Sequence, residues 1–194
     1  MDRLSDTINT SGNLEIWKVY DDGNEELFFS DHNIIVSGMS AAFLSLFGGM
    51  TSNDIRDFQI RYFQLGTGVY EDSNITVNTN QLSAPITFAQ YDPSGTAALV
   101  VSSVNVRAGD TITAEAAVEI PWQHIKRASP TSVLYTLILD KDAVNGITLR
   151  EIGLFMSSPL SNTIANPMLA AYKKYPTLTK NSEFSLIYKW TLYF

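Results

Sequence analysis

The chain has 194 residues, of which 45% are hydrophobic, 17% are charged and 11% are aromatic. This is enough apolar material for a sizeable core, but charged residues usually make up about 25% of a chain, so we expect part of the surface to meet other protein. The net charge of −7 disfavours a nucleic-acid partner, and the lack of cysteine excludes disulfides, thiolate nucleophiles and sulfur-ligated zinc.

The sequence shows no targeting signal for a membrane. The N-terminal stretch "MDRLSDTINTSG" lacks the apolar segment of a signal peptide, and no stretch approaches the roughly 20 apolar residues that span a bilayer. We therefore expect no membrane partner, and a protein that is made in the cytosol and either stays there or is released by lysis.

The first predicted element is an N-terminal hairpin over residues 13–30. Apolar and polar residues alternate in "LEIWKVY" (14–20) and "ELFFS" (26–30). The turn "DDGN" lies between them, and its Gly23 can adopt the positive φ of a tight reversal.

One helix is predicted, over residues 38–47. Apolar residues follow at helical spacing, namely Met39, Ala42, Phe43, Leu46 and Phe47. Ser37 is a candidate N-cap, and Gly48 and Gly49 are stop signals.

The rest of the chain is predicted to form short strands. A strand at 58–68 ends in "LGTG" and is followed by a polar surface loop at 69–85. Three strands of a meander follow, "ITFAQY", "TAALVVSSVNV" and "TITAEAAVEIP", and then "WQHIKRASPTS" interrupts the pattern. The last four strands are "VLYTLILD", "ITLREIGLF", "PMLAAYKKY" and "EFSLIYKWTLYF", the first two separated by the turn "KDAVNG" and the last two by "PTLTKN".

This inventory predicts a mainly β protein, an antiparallel β-sandwich with one short α-helix near the N-terminal third of the chain. A parallel sheet would need repeated crossover helices, and the sequence has none. We expect a single domain over 1–194; a small N-terminal lobe over 1–50 is the alternative.

Two short motifs resemble ligand loops but fit turns better. "LGTG" (65–68) lacks the spacing of a dinucleotide loop and the Gly-Lys-Ser/Thr ending of a P-loop. "DKDAVNGITLRE" (140–151) has acidic residues at positions 1, 3 and 12 of a calcium loop, yet Asn145 stands where the turn glycine belongs and the pattern predicts no flanking helices.

No set of residues predicts catalysis. His32 and His124 lie far apart, and neither has a second ligand nearby at metal-binding spacing. Carboxylates that could serve a glycosidase fall in turns or loops, as Asp21-Asp22, Glu25-Glu26 and Glu71-Asp72. We predict no catalytic, cofactor-binding or metal-binding residues, no cofactor, and no enzymatic activity.

The last strand is apolar on one face and mixed on the other. Phe184, Leu186, Tyr188, Trp190, Leu192 and Phe194 share the first face, which we predict to be core. The second face carries Ile187 and Tyr193 among polar residues. Either a neighbouring subunit or the N-terminal hairpin could cover it.

The order of these segments resembles a group of virion structural proteins of tailed bacteriophages, associated with tails, baseplates and fibre attachment. The corresponding pieces are "HNIIVSGMSAAFLSLFGG" (32–49), "IRYFQLGTG" (60–68), "NTNQLSAPI" (78–86), "LREIGLF" (149–155), "NPMLAAYKKYP" (166–176) and "LIYKWTLYF" (186–194). The similarity covers residues 27–194; the hairpin at 13–30 and the apolar "TAALVVSSV" have no counterpart in the pattern.

The resemblance implies a structural subunit that works by protein–protein contact in a virion assembled in the host cytoplasm, as a homo-oligomer, trimer or hexamer, beside other virion proteins. A neck or capsid position is the alternative within this class. In such a scaffold we expect Gly66 and Gly68 to serve a turn, Glu151 to act as a partly buried hydrogen-bond acceptor for backbone or Arg donors, and Trp190 and Phe194 to be core anchors.

A different hypothesis is a host-surface glycan-binding module. Its contacts would come from the loop at 69–83 or from "WQHIKRASP", which present Tyr70, Trp122 and carboxylates. A hydrolase that uses loop carboxylates is a third hypothesis.

Overall fold

The computed structural model describes residues 10–48, 58–68, 79–91, 117–156 and 168–194, and within them it forms two antiparallel sheets of five strands each. Sheet one contains β1 (Ser11–Tyr20), β2 (Glu25–His32), β6 (Ile125–Ser129), β7 (Ser132–Leu139) and β10 (Phe184–Tyr193), in the order β2-β1-β10-β7-β6. Sheet two contains β3 (Ile34–Ile35), β4 (Ile60–Gly66), β5 (Val118–Glu119), β8 (Thr148–Met156) and β9 (Met168–Thr179), in the order β3-β9-β8-β4-β5. The helical segments are α1 (Ser37–Gly48), α2 (Phe88–Tyr91) and a 3₁₀ turn (Trp122–His124). The predicted fold class, a mainly β antiparallel sandwich with a short helix in the N-terminal third, is confirmed.

The N-terminal hairpin forms as the sequence predicts. Gly23 has a φ of 81°, and its N–H donates to the carbonyl of Tyr20 to close the turn. β1 then pairs along its whole length with β10, from Ser11 opposite Tyr193 to Tyr20 opposite Phe184. The hairpin therefore extends the sheet that contains the last strand, and it does not cover the outer face of that strand.

Sheet one buries the side chains of its inner face only. Its fully buried side chains alternate along β1, β7 and β10 with partly exposed ones, and they include Leu14, Ile16, Leu137, Leu139, Leu186, Tyr188, Trp190 and Leu192. This period of two is what an antiparallel sheet requires when one face packs on a core and the other meets solvent.

Sheet two is covered on both faces. One face, with Phe63 and Leu154, joins the core shared with sheet one. The other face, with Tyr62 and Tyr172, packs in a second cluster under Leu82 from the segment that follows β4. Burial on both faces explains why β8 reads as a nearly continuous apolar run instead of alternating.

The chain crosses from sheet one to sheet two at Asn33, between β2 and β3. The Trp190 indole N–H donates to Asn33 Oδ1 over 2.9 Å, and the Asn33 N–H donates to the carbonyl of Gly12. A Cβ on Gly12 would lie only 2.0 Å from Asn33 Oδ1, so the crossover requires glycine at this position. Trp190 is thus bonded to the segment that links the two sheets.

Several local predictions are wrong. The predicted strand "ITFAQY" ends in α2, where the N–H groups of Gln90 and Tyr91 donate to the carbonyl of Thr87. The segment "WQHIKRASPTS", predicted to interrupt the strands, contains the edge strand β6. Its side chains are mostly exposed and polar, so its sequence shows no strand pattern. β9 continues through Pro176 to Thr179, into the predicted connection "PTLTKN", past a register shift opposite β8.

The predicted strand "TAALVVSSVNV", the first six residues of "TITAEAAVEIP", and most of the predicted loop at 69–85 lie outside the described residues, whereas the end of "TITAEAAVEIP" contains β5. The part of that loop from residue 79 onward is described, and it is not a plain surface loop. Leu82 is buried in it, because the segment lies across the face of sheet two that points away from sheet one.

Candidate interaction surface

The most unusual surface of the molecule carries exposed aromatic and aliphatic side chains around α1. Phe47 is 82% exposed, Trp122 79%, Leu44 71% and Phe194 42%. Single exposed apolar residues are ordinary on a folded protein, but neighbouring ones indicate a binding site. We call the area formed by Phe43, Leu44, Phe47, Trp122 and Phe194 the apolar surface.

The helix lies flat against β9 because of a glycine. A Cβ on Gly38 would lie 2.2 Å from the carbonyl oxygen of Leu169, so only glycine allows this approach. The backbone N–H of Val36 donates to the carbonyl of Ala170 and fixes the entry to the helix. From there Met39 and Ala42 point into the core, and Leu44 and Phe47 lie on the solvent side.

The helix is more apolar than its packing requires. One buried stripe would satisfy a surface helix, which normally carries polar residues on its other face. Here the face away from the core also carries large apolar side chains, Leu44 and Phe47. Phe47 is thus exposed although it follows Met39 and Ala42 at helical spacing. The apolar character on more than one face of the helix is the sequence signal that could have indicated an exposed contact.

A groove of about 900 Å³ adjoins the helix on the side where the two sheets open toward β5 and β6. Its walls include Met39 and Phe43 of α1, Trp122 of the 3₁₀ turn and Tyr135 of β7. A second hollow of about 530 Å³ shares Met39 and Phe43 and extends along α1 to Leu44 and Phe47. The two hollows therefore form one continuous apolar depression along the helix.

Among the described residues, the charged side chains that line the larger groove are Arg61 and Glu119, and they pair with each other. Strands β4 and β5 hold them at adjacent positions, because Tyr62 lies opposite Glu119 in the register. These two described side chains together carry no net charge, which suits contact with an uncharged, apolar segment of another molecule.

Phe194 lies at the edge of this surface and not in the core. Its N–H donates to the carbonyl of Thr131 over 2.8 Å, and its ring packs against Phe43 with the ring centroids 6.3 Å apart. The predicted role of Phe194 as a core anchor is therefore wrong. Trp190 is fully buried, as expected, and the alternation of β10 ends at Leu192.

Glu151 is a fully buried acceptor at the point where three sequence motifs meet. Its carboxylate accepts hydrogen bonds from the backbone N–H groups of Ser83 (3.0 Å) and Ala84 (2.8 Å) and from the Tyr172 hydroxyl (2.8 Å). A Cβ on Gly66 would lie 2.4 Å from Glu151 Oε1, so the glycine makes room for the carboxylate.

Gly68 makes the same kind of close approach, since its Cβ would lie 2.9 Å from the Cβ of Ala84. The pieces "LGTG", "QLSAP" and "REIGLF" thus fit together around one buried carboxylate. The arrangement fixes the segment after residue 79 to sheet two, and it leaves Glu151 no exposed oxygen for chemistry on a substrate.

The segment that resembles a calcium-binding loop, 140–151, binds the side chain of Lys180. Lys180 is fully buried, and its ammonium group donates to the carbonyls of Lys141 (3.0 Å) and Asn181 (2.6 Å) and to Asn145 Oδ1 (3.3 Å). Burial lowers the pKa of Lys180 to about 8, although the nearby carboxylates of Asp142 and Asp140 act in the opposite direction. The oxygens of this turn therefore bind Lys180.

The remaining candidate residues stay apart. His32 is exposed at the end of β2, and His124 lies in the 3₁₀ turn. Across the described ranges, no three His, Asp or Glu side chains come together as a metal site requires. Glu26 binds Lys18 and Tyr20, and these hydrogen bonds lower its pKa. Tyr70, Glu71 and Asp72 lie outside the described residues.

In the described part of the chain, none of the helices has both the length and the apolar character needed to cross a membrane. The comparisons with known proteins give no family. No family model matches the sequence, and neither a curated protein nor a solved structure matches the chain.

Proposed function

We propose that this chain is a non-enzymatic structural subunit that assembles with other proteins through the apolar surface. The exposure of Phe47, Trp122 and Leu44 around the larger groove is the observation that carries the proposal. Apolar area of this kind is unfavourable in water. Its burial against a partner contributes about 25 cal/mol of favourable free energy for each Å².

The assembly we propose is a bacteriophage virion, at the tail, baseplate or fibre-attachment region, with a neck or capsid position as the alternative. This part of the proposal depends on the order of motifs in the sequence. Three of those motifs, "LGTG", "QLSAP" and "REIGLF", pack against one another around Glu151. This packing supports the proposal indirectly, because it explains why the three motifs occur together in one chain. Within such a particle the chain would act as a homo-oligomer, trimer or hexamer, in contact with other virion proteins.

The test removes apolar area from the exposed side of α1. We expect the purified chain to form a discrete oligomer by mass photometry or light scattering, and we expect Phe47→Ser to reduce it to a smaller species. Phe47 is 82% exposed, so the substitution leaves the core of the subunit intact. Phe47→Leu is the matched control, because it keeps the site apolar and should retain most of the assembly.

A thermal melt of each variant separates loss of contact from loss of folding. If wild-type chain and Phe47→Ser are both monomers, the proposal that copies of this chain associate through the apolar surface is wrong. Pull-down of the variants against the other proteins of the same particle then tests whether the surface contacts a different partner.

Glycan binding is the second candidate function, and the exposure of Trp122 is the observation that favours it. An exposed indole beside a groove can stack on a sugar ring, as aromatic side chains do in carbohydrate sites. A glycan array with wild type and Trp122→Ala tests this function. Binding that is lost in the variant would support it, and no binding to any glycan would contradict it.

A further inference from the structure

A second surface of the molecule has a different character, namely the solvent side of sheet one. We call it the outer face. Register places Trp17 of β1 opposite Ile187 of β10, and Ile187 opposite Ile138 of β7. On the other side Trp17 lies opposite Leu27 of β2. Cross-strand partners share a face, so these four side chains form a row about 14 Å long across the sheet.

The adjacent row carries one negative and one positive charge. Glu15 of β1 lies directly opposite Lys189 of β10. Beyond β10 the partner is Thr136 of β7, and beyond β1 it is Ser30 of β2. Glu15 thus places the negative charge on β1, and Lys189 places the positive charge on the neighbouring strand β10.

The side chains at the centre of the outer face are held in place before any partner arrives. The Trp17 indole N–H donates to Glu15 Oε2 over 3.0 Å. The ammonium group of Lys189 lies 4.7 Å from the centroid of the Trp17 ring. Side chains that are ordered in advance lose less entropy on association, and a central Trp is a typical hot spot.

No described helix or strand covers this face. Ile187, Ile138 and Trp17 are each partly exposed, and Leu27 is 48% exposed. The hairpin that might have covered β10 forms the edge of the same sheet. In the described part of the chain the apolar row is therefore open to contact with another molecule.

The charges favour a second copy of this chain as that molecule. A two-fold axis parallel to the strands, at the β1–β10 boundary, would set Glu15 of each copy against Lys189 of the other. The same rotation would set Trp17 against Ile187 and Leu27 against Ile138. The central charges of this face balance, so two chains of net charge −7 could meet here without local repulsion.

We propose that the outer face of sheet one binds the outer face of a second copy in a two-fold, face-to-face stack. The contact is isologous and separate from the apolar surface, so it does not depend on which partner that surface binds. Together with a three-fold contact elsewhere, it would produce a hexamer.

The test exchanges charges between copies. It is made in a Phe47→Ser background, so that the apolar surface does not contribute, and the oligomeric state is measured by sedimentation at about 10–100 µM chain, where a micromolar dimer is populated. We expect Glu15→Lys and Lys189→Glu each to weaken the dimer about tenfold or more, since like charges then face each other across the axis. A mixture of the two variants should form a heterodimer, in which every facing pair is again opposite in sign.

Mixing isolates the contact between copies. Each variant also places like charges at positions 15 and 189 on neighbouring strands of the same chain, which destabilises the monomer. Mixing the variants leaves this repulsion within each chain unchanged, so any dimer regained on mixing reports the contact between copies. Lys141→Glu, in the exposed turn after β7, is the control; it changes the net charge as Lys189→Glu does and should dimerise normally.

Three outcomes would overturn the proposal: a monomer in the Phe47→Ser background, variants that dimerise as well as their parent, or single variants that stay monomeric when mixed. None of these results contradicts the apolar surface, because its own test depends on the difference between wild type and Phe47→Ser.

Discussion

At the scale of single residues, Glu151 shows how hydrogen bonds can satisfy a buried charge. Two backbone N–H groups and one hydroxyl donate to its carboxylate, and hydrogen bonds to a charged group are about twice as strong as neutral ones. Buried charges cost free energy unless they are paired or hydrogen-bonded in this way. The sequence predicted Glu151 as a partly buried acceptor, and the structure buries it fully.

Glu151→Gln should therefore destabilise the protein by about 3 kcal/mol, although the two side chains have nearly the same shape. The amide NH₂ would face donors where an oxygen now accepts, so at least one buried donor loses its partner. Urea unfolding followed by far-UV circular dichroism measures the change. Tyr172→Phe, which removes one donor and keeps the carboxylate, should cost less; equal stability of Glu151→Gln and wild type would contradict this account.

At the scale of elements, the turn between β7 and β8 encloses Lys180 and carries backbone strain. Val144 has a φ of 60°, an unfavourable value for a β-branched residue, and Gly146 has a φ of 80°. Val144 is nevertheless fully buried, and its N–H donates to the carbonyl of Tyr91. The surrounding contacts, including those of Lys180, hold this conformation in place.

Because burial lowers the pKa of Lys180 to about 8, stability should rise with pH in the alkaline range. Between pH 8 and pH 10 the unfolded chain keeps the proton on Lys180, whereas the folded chain releases it, so raising the pH favours folding. We expect a gain of about 2 kcal/mol in the free energy of unfolding between pH 7 and pH 9.5. Urea unfolding at the two pH values measures it.

Lys180→Met is the control for this effect and should show no such rise. The trend should reverse above about pH 10, the ordinary pKa of tyrosine. Burial raises the pKa of Tyr135 to about 12 and also raises the pKa of Tyr188, so these side chains stay protonated in the folded state while the unfolded chain ionises. A flat profile for wild type from pH 7 to pH 9.5 would contradict the lowered pKa of Lys180.

Which elements could be predicted from the sequence depends on how local their signal is. The hairpin around Gly23 and the strand β10 follow from alternation and turn chemistry, which act between neighbouring residues. β6 was missed because an edge strand with exposed side chains has no apolar period. α2 was predicted as a strand because a four-residue helix is too short to show a helical period.

The candidate surfaces were harder to predict because they depend on contacts between distant residues. Phe47 reads as core in a helical pattern, and only the packing of α1 on β9 shows that it faces solvent. The row that joins Leu27, Trp17, Ile187 and Ile138 is set by the register of four strands from separate parts of the chain. Neither register nor helix orientation follows from spacing along one segment.

At the scale of the whole molecule, buried aromatic groups are among the contacts that join the two sheets. Tyr175 of β9 and Tyr188 of β10 bring their hydroxyls to 3.3 Å across the interior, and burial raises the pKa of both. Trp190 lies on the same strand as Tyr188 and donates to Asn33 at the crossover between the sheets. These contacts couple sheet one to sheet two, so we expect the described strands to unfold together.

Trp190→Ala should therefore affect the whole sandwich and not one strand alone. The change removes the largest fully buried side chain and leaves the Asn33 carbonyl without its indole donor, so we expect a loss of about 3–5 kcal/mol and failure of soluble assembly. Trp190→Phe is the milder control, since it fills most of the space but cannot donate. Far-UV circular dichroism and the near-UV tyrosine signal should report the same midpoint in urea for each variant, shifted furthest for Trp190→Ala. A variant that folds and oligomerises like wild type, or probes that report separate transitions, would show that Trp190 does not couple the two sheets.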